Sequence, residues 1–178
     1  KFGGTSVASA TQIKKVVDIV LSDKERKIVV VSAPGKRSSD DTKVTDLLIE
    51  LAERALNNED TTDACANVVA RYEEIAQQLN VDSKIIDTIR EDIEKRVQAS
   101  KEDEVLFMDS MKAAGEDNNA KLIAAYFQSL GVEARYVSPK EGGLLVNERP
   151  ARVQALPEGD EQLAKLKDEK GIIVFPGF

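Results

Sequence analysis

The chain has 178 residues, 42% of them hydrophobic, which suffices for one domain with a real core and argues against disorder. Its 25 Lys and Arg against 32 Asp and Glu give a net charge of -7, with 4% aromatics and no Trp, which excludes a basic, ring-lined nucleic-acid surface. No histidine is present, so Ser-His-Asp triads, His acid–base catalysis and His metal sites are excluded together.

Residues 1 to 4 read as a strand end running into a glycine turn, with the strand proper expected before Lys1. A helix comes next, because Ile13, Val16, Val17 and Val20 recur on one face. Lys27 to Ala33 has a β-branched centre that predicts a strand buried on both faces of a parallel sheet. Pro34 to Thr42 is a polar loop, and Val44, Leu47, Leu48 and Leu51 begin another helix. Residues 62–80 and 83–99 form two amphipathic helices, part of a helical excursion over about 58–104. The only cysteine, Cys65, falls in the first of these, where a packed thiol is expected and no internal disulfide can form.

Phe107 to Ala114 and Glu116 to Leu130 are predicted as two helices separated at Gly115, with Gly131 as the cap of the second. Val132 to Val137 reads as a strand, Leu144 to Val146 as a short one, Gln162 to Lys167 as a short helix and Gly171 to Phe175 as a buried strand. Strands alternating with helices predict an α/β fold with a mainly parallel sheet. No apolar run approaches the ~20 residues of a membrane span, and no signal-peptide pattern opens the chain. A cytoplasmic protein is therefore expected, without membrane or nucleic-acid partners.

Four segments carry candidate chemistry. In Lys1-Phe2-Gly3-Gly4-Thr5-Ser6, two glycines let the backbone approach a ligand, and a helix start would offer free N–H groups. Thr5 and Ser6 add hydroxyls and Lys1 a fixed cation, a set suited to phosphoryl oxygens, although the lysine precedes the glycines, unlike a Walker loop. The residues alone leave open a plain glycine turn beside an exposed lysine. Ser32, Gly35 and Thr45 surround the loop at the carboxyl end of the second strand, where open α/β sheets bind ligands, or else belong to a solvent loop. Gly115 to Asn119 is either ordinary helix capping or a carboxylate aimed at an ammonium group. Gly171 to Phe178 reads as a core strand that ends in Pro-Gly-Phe, and an interrupted protein is the expectation.

These segments, in order, resemble the aspartokinase branch of the amino acid kinase family. The resemblance rests on KFGGTSVA at the start, VVVSA at 29–33, VTDLL at 44–48, GEDNNAKLIA at 115–124, GVEARYVSPKEGGLLV at 131–146 and VFPGF at 174–178. It implies a three-layer α-β-α sandwich with a mainly parallel central sheet, here truncated, with 1–178 as the N-terminal, substrate-side part of the catalytic domain. It also implies transfer of the ATP γ-phosphoryl group, with Mg2+, to the side-chain carboxylate of L-aspartate, opening lysine, threonine and methionine biosynthesis. The resemblance makes Lys1 the catalytic lysine and Gly3 and Gly4 the phosphate cradle, with Phe2, Thr5, Ser6 and Ser32 beside it. Thr45, Glu116, Gly177 and Phe178 become the substrate contacts, Glu116 meeting the aspartate ammonium. No metal-ligating residue is implied. The family's Arg-Gly-Gly-Ser-Asp motif, adenine-binding segments and regulatory domains do not occur in the sequence. The expectation is therefore an inactive fragment of an enzyme whose homo-oligomer forms through other regions. Glutamate or acetylglutamate kinase, or a non-catalytic phosphate- or amino-acid-binding module of the same fold, are the alternatives.

Overall fold

The computed structural model describes residues 1–146 and 154–177. Four strands form one parallel sheet: β1 (Phe2–Gly4), β2 (Ile28–Pro34), β3 (Ala134–Tyr136) and β4 (Ile172–Pro176), in the order β1-β2-β4-β3. Phe2 lies opposite Val31, and Val31 opposite Pro176, so the chain's first and last described strands flank the same central one. The two glycines belong to β1 itself, where the pairing shifts between Phe2 and Gly4, instead of coming after the strand.

Side chains alternate across the sheet as strand geometry demands. Val29, Val31, Ala33, Ile172 and Val174 enter a large core shared with α1 (Ala10–Leu21), α2 (Val44–Leu56), α3 (Thr62–Leu79), α4 (Lys84–Val97) and α5 (Glu104–Ser129). Val30, Ile173 and Phe175 point the other way and meet Leu163 of α6 (Asp160–Lys165) and Leu166. Helices thus cover both faces, one thickly and one thinly. Side chains such as Leu48, Ile89 and Phe127 are fully buried, and each such burial contributes about 1.5–3 kcal/mol. No helix among the described residues is long and apolar enough to cross a membrane.

Local signals explain most boundaries. Ser9 caps α1 by accepting from the Gln12 amide at 3.4 Å. Asn80 adopts φ 54° to end α3. Gly131, at φ 75°, lies just past α5; its N–H donates to the Gln128 carbonyl at 2.9 Å, and that of Val132 to Phe127 at 3.1 Å.

Two expectations further along the chain fail. Gly115 does not separate two helices: α5 runs unbroken for 26 residues. A Cβ at Gly115 would sit 2.8 Å from the Ala33 Cβ and 3.3 Å from Leu48 Cδ1, so the glycine is where this helix presses onto β2. Leu144 to Val146 is not a strand either. Leu144 closes a turn by donating to the Pro139 carbonyl at 2.8 Å, and Val146 makes one antiparallel bridge to Ala155.

Candidate active site

The strands are parallel, so β1, β2 and β4 all end on the same side of the sheet, with β2 between the other two. The Lys1 side chain crosses this region, its Nζ donating to the Gly177 carbonyl at 2.9 Å, 176 residues away. A Cβ on Gly177 would lie 2.9 Å from Lys1 Cε and 3.0 Å from Val30 Cγ1, so this glycine makes room for the lysine stem. Phe178 lies outside the described residues.

The glycine turn is built by close backbone approach. A Cβ on Gly3 would meet Ser32 Oγ at 2.8 Å, and one on Gly35 would meet the Gly4 carbonyl carbon at 2.5 Å. The Gly35 N–H donates to the Gly4 carbonyl at 3.0 Å. Gly4 itself has φ 55° and open space where a side chain would project. Phe2 is partly buried against the large core. The glycines lead into a single 3-10 turn, Thr5–Val7, with Thr5 and Ser6 exposed; α1 starts only at Ala10. The expected helix N-terminus beside the glycines is therefore replaced by this tight turn. The cause is the capped start at Ser9.

Ser32 is half-buried with its hydroxyl against Gly3, and its carbonyl accepts from Asn119 Nδ2 at 2.6 Å. Glu116 stands inside α5, not at a helix start, which removes the capping explanation for its carboxylate. Its Oε2 is buried without a partner. Burial pushes the Glu116 carboxyl above its ordinary value, opposed by the backbone amides of Ala33 and of Glu116 itself and by the charge of Lys1. Thr45 lies half-buried in the first turn of α2, one turn before Leu48, which touches the Gly115 region of α5. Lys1, Gly3, Gly4, Ser32, Glu116 and Gly177 thus converge, while Thr45 makes no hydrogen bond to any of them.

Across residues 1–178 the sequence matches the amino acid kinase family. The chain belongs to that family. It is 49% identical to aspartokinase 3 of Bacillus subtilis over 178 residues, all of this chain and 39% of that one. It is 30% identical to the chloroplastic aspartokinase 1 of Arabidopsis thaliana over 156 residues, covering 83% of this chain and 26% of the relative. The Clostridium acetobutylicum aspartate kinase structure superposes with a TM-score of 0.77 at 30% identity, covering 99% of this chain and 38% of that one. Escherichia coli aspartokinase III with aspartate and ADP superposes with a TM-score of 0.73 at 25% identity, covering 99% and 39%. The chain therefore spans about two fifths or less of the length of these relatives.

Within the amino acid kinase fold, several supporting residues escaped sequence reasoning. Arg71 of α3 is 6% exposed and bonds to both loops around the site. Its signal was present: it stands one turn from Val68 and from Ile75, a charge on an apolar face. Tyr72, fully buried, donates to the Gly115 carbonyl at 2.9 Å. Burial pushes its hydroxyl well above the ordinary value, with Glu116 adding to the effect. Asp117, the neighbour of Glu116, pairs with Arg96 at 2.8 Å and Lys121 at 3.2 Å and accepts from the Tyr136 hydroxyl, which ties α5 to α4 and β3. Cys65 is a free, half-buried thiol of α3.

Proposed function

We propose that residues 1–178 form the substrate side of an ATP-dependent aspartokinase, which transfers the γ-phosphoryl group to the side-chain carboxylate of L-aspartate and yields aspartyl phosphate. This would open lysine, threonine and methionine biosynthesis. The observation that carries the reading is the Lys1 ammonium held 2.9 Å from the Gly177 carbonyl, beside the two-glycine turn and within electrostatic range of Glu116. One carbonyl fixes the ammonium without neutralising it, so its remaining donors are free for phosphoryl oxygens. Phosphoryl transfer needs chiefly positioning and charge stabilisation, and a lysine in this place supplies the second.

The rest of the site fits the same substrates. Gly4 leaves open space over a backbone that a phosphate can approach. The unpartnered Glu116 oxygen, in a buried setting that disfavours its charge, gains most from an ammonium such as that of aspartate. Thr45 would add a hydroxyl from the first turn of α2. Magnesium, which screens phosphate charge, would come with the nucleotide.

The test is a chimera in which residues 1–178 replace the matching segment of the Bacillus subtilis relative, assayed by aspartate-dependent ADP release. Lys1→Ala should lower kcat by orders of magnitude with a modest change in aspartate KM, the signature of an interaction made in the transition state. Unchanged turnover would refute the role of Lys1. A chimera that binds aspartate without turnover would favour the non-catalytic module.

A further inference from the structure

Arg71 is a buried charge that reaches the loops of the site. Its Nη1 donates to Asp41 Oδ2 at 2.8 Å and to the Thr42 carbonyl at 3.1 Å. Its Nη2 donates to the carbonyls of Ala8 and Gly35, both at 3.3 Å. Ala8 ends the turn next to Gly3 and Gly4. Gly35 donates in turn to the Gly4 carbonyl at 3.0 Å, so a continuous hydrogen-bonded path runs from Arg71 to the glycine turn. Thr42 lies three residues before Thr45.

The surroundings reinforce this clamp. Arg37 holds Asp41 through its backbone N–H at 2.8 Å, its Nε at 2.8 Å and its Nη2 at 2.7 Å, and pairs with Glu74 of α3, one turn beyond Arg71. The adjacent Tyr72 fixes Gly115, the residue before Glu116. Helix α3 therefore touches the three segments that carry Gly3 and Gly4, Thr45 and Glu116. A buried ion pair is a poor route to stability, since apolar residues of similar volume do as well or better. A planar guanidinium does something else: it joins acceptors on two separate loops in one fixed geometry, which a single ammonium cannot do.

We propose that Arg71 is a positioning residue for phosphoryl transfer: it holds the glycine turn and the 35–42 loop in register with each other and with α3. The chemistry rests on the kinase reading; the clamp itself does not. Misplacement of substrate-holding loops by about 1 Å costs on the order of 100-fold in rate.

The first test is hydrogen exchange on the 178-residue chain, comparing the parent with Arg71→Lys, Arg71→Met and Asp41→Asn. Amides of residues 3–8 and 35–42 should exchange on the order of tenfold faster in both Arg71 variants, with α4 and α5 unchanged. Asp41→Asn should loosen 35–42 more than 3–8, because the Ala8 and Gly35 bonds survive. Uniform acceleration along the chain, or none, would overturn the clamp. If Arg71→Met does not fold, Arg71→Lys, which keeps the charge, decides. The second test is kinetic, in the chimera. Arg71→Lys should lower kcat by roughly 10- to 100-fold with aspartate KM within about threefold. A lower melting temperature with kcat per folded molecule unchanged would make Arg71 merely structural and overturn the proposal. Arg54→Met, which breaks an exposed pair with Glu50, should change neither readout. A chimera without turnover when Arg71 is intact counts against the kinase reading, and the exchange experiment then still decides the clamp.

Discussion

Gly115→Ala sets two opposing effects against each other. In the interior of a helix, Gly→Ala ordinarily stabilises by about 0.5–1 kcal/mol. Here the new methyl would lie 2.8 Å from the Ala33 Cβ and 3.3 Å from Leu48 Cδ1. Leu48 can rotate its terminal methyl, but the Ala33 Cβ is fixed to a strand paired on both sides, so helix and sheet must separate. Such overpacking costs about 1–3 kcal/mol; a cost of about 2–3 kcal/mol, expected where the nearer partner is fixed to the sheet, outweighs the gain and leaves a net loss of about 1–2 kcal/mol. For a chain of this size that is a fall in Tm of about 2–8 °C. Thermal and urea denaturation of the 178-residue chain would measure it. Ala33→Gly in the Gly115→Ala background removes the clashing carbon and should recover part of the loss, a coupling of about 1 kcal/mol in a double-mutant cycle. A Gly115→Ala chain as stable as the parent, or more stable, would refute the reasoning and make Gly115 an ordinary helical residue.

Glu116→Gln should raise Tm at neutral pH while it weakens aspartate use in the chimera. The sign comes from the raised carboxyl: its ionisation costs stability above its folded value and nothing below its unfolded value. The gain should therefore shrink to nothing as pH falls through the ordinary carboxylate range, and a gain independent of pH would contradict this. Tyr72→Phe removes the buried hydroxyl bond to Gly115, and should lower the urea midpoint by an amount worth about 1 kcal/mol with the slope unchanged. No loss would mean that this bond does not hold α5.

Elements whose pattern is local were legible in the chain. The β-branched run of β2, the apolar faces of α1 to α4 and the glycine after α5 each state their structure within a few residues, because burial on a sheet or one helix face imposes a period. Leu144 to Val146 misled because three apolar residues carry no period, and there the turn chemistry of the preceding Ser138 to Gly143 prevails.

The candidate site divides along the same line. The order and kinds of residues, Lys1 with Gly3 and Gly4, then Thr45, Glu116 and Gly177, were determined by the sequence, and so was the family. Only the tertiary structure decided that Gly115 lies inside a helix, since the reason for the glycine is a strand residue 82 positions away (115 − 33). Only it decided that the Lys1 ammonium rests on the carbonyl of Gly177 and that Arg71 grips two loops at once. Hydrogen bonds and close contacts between distant segments depend on where the backbone folds back, and no local periodicity encodes that.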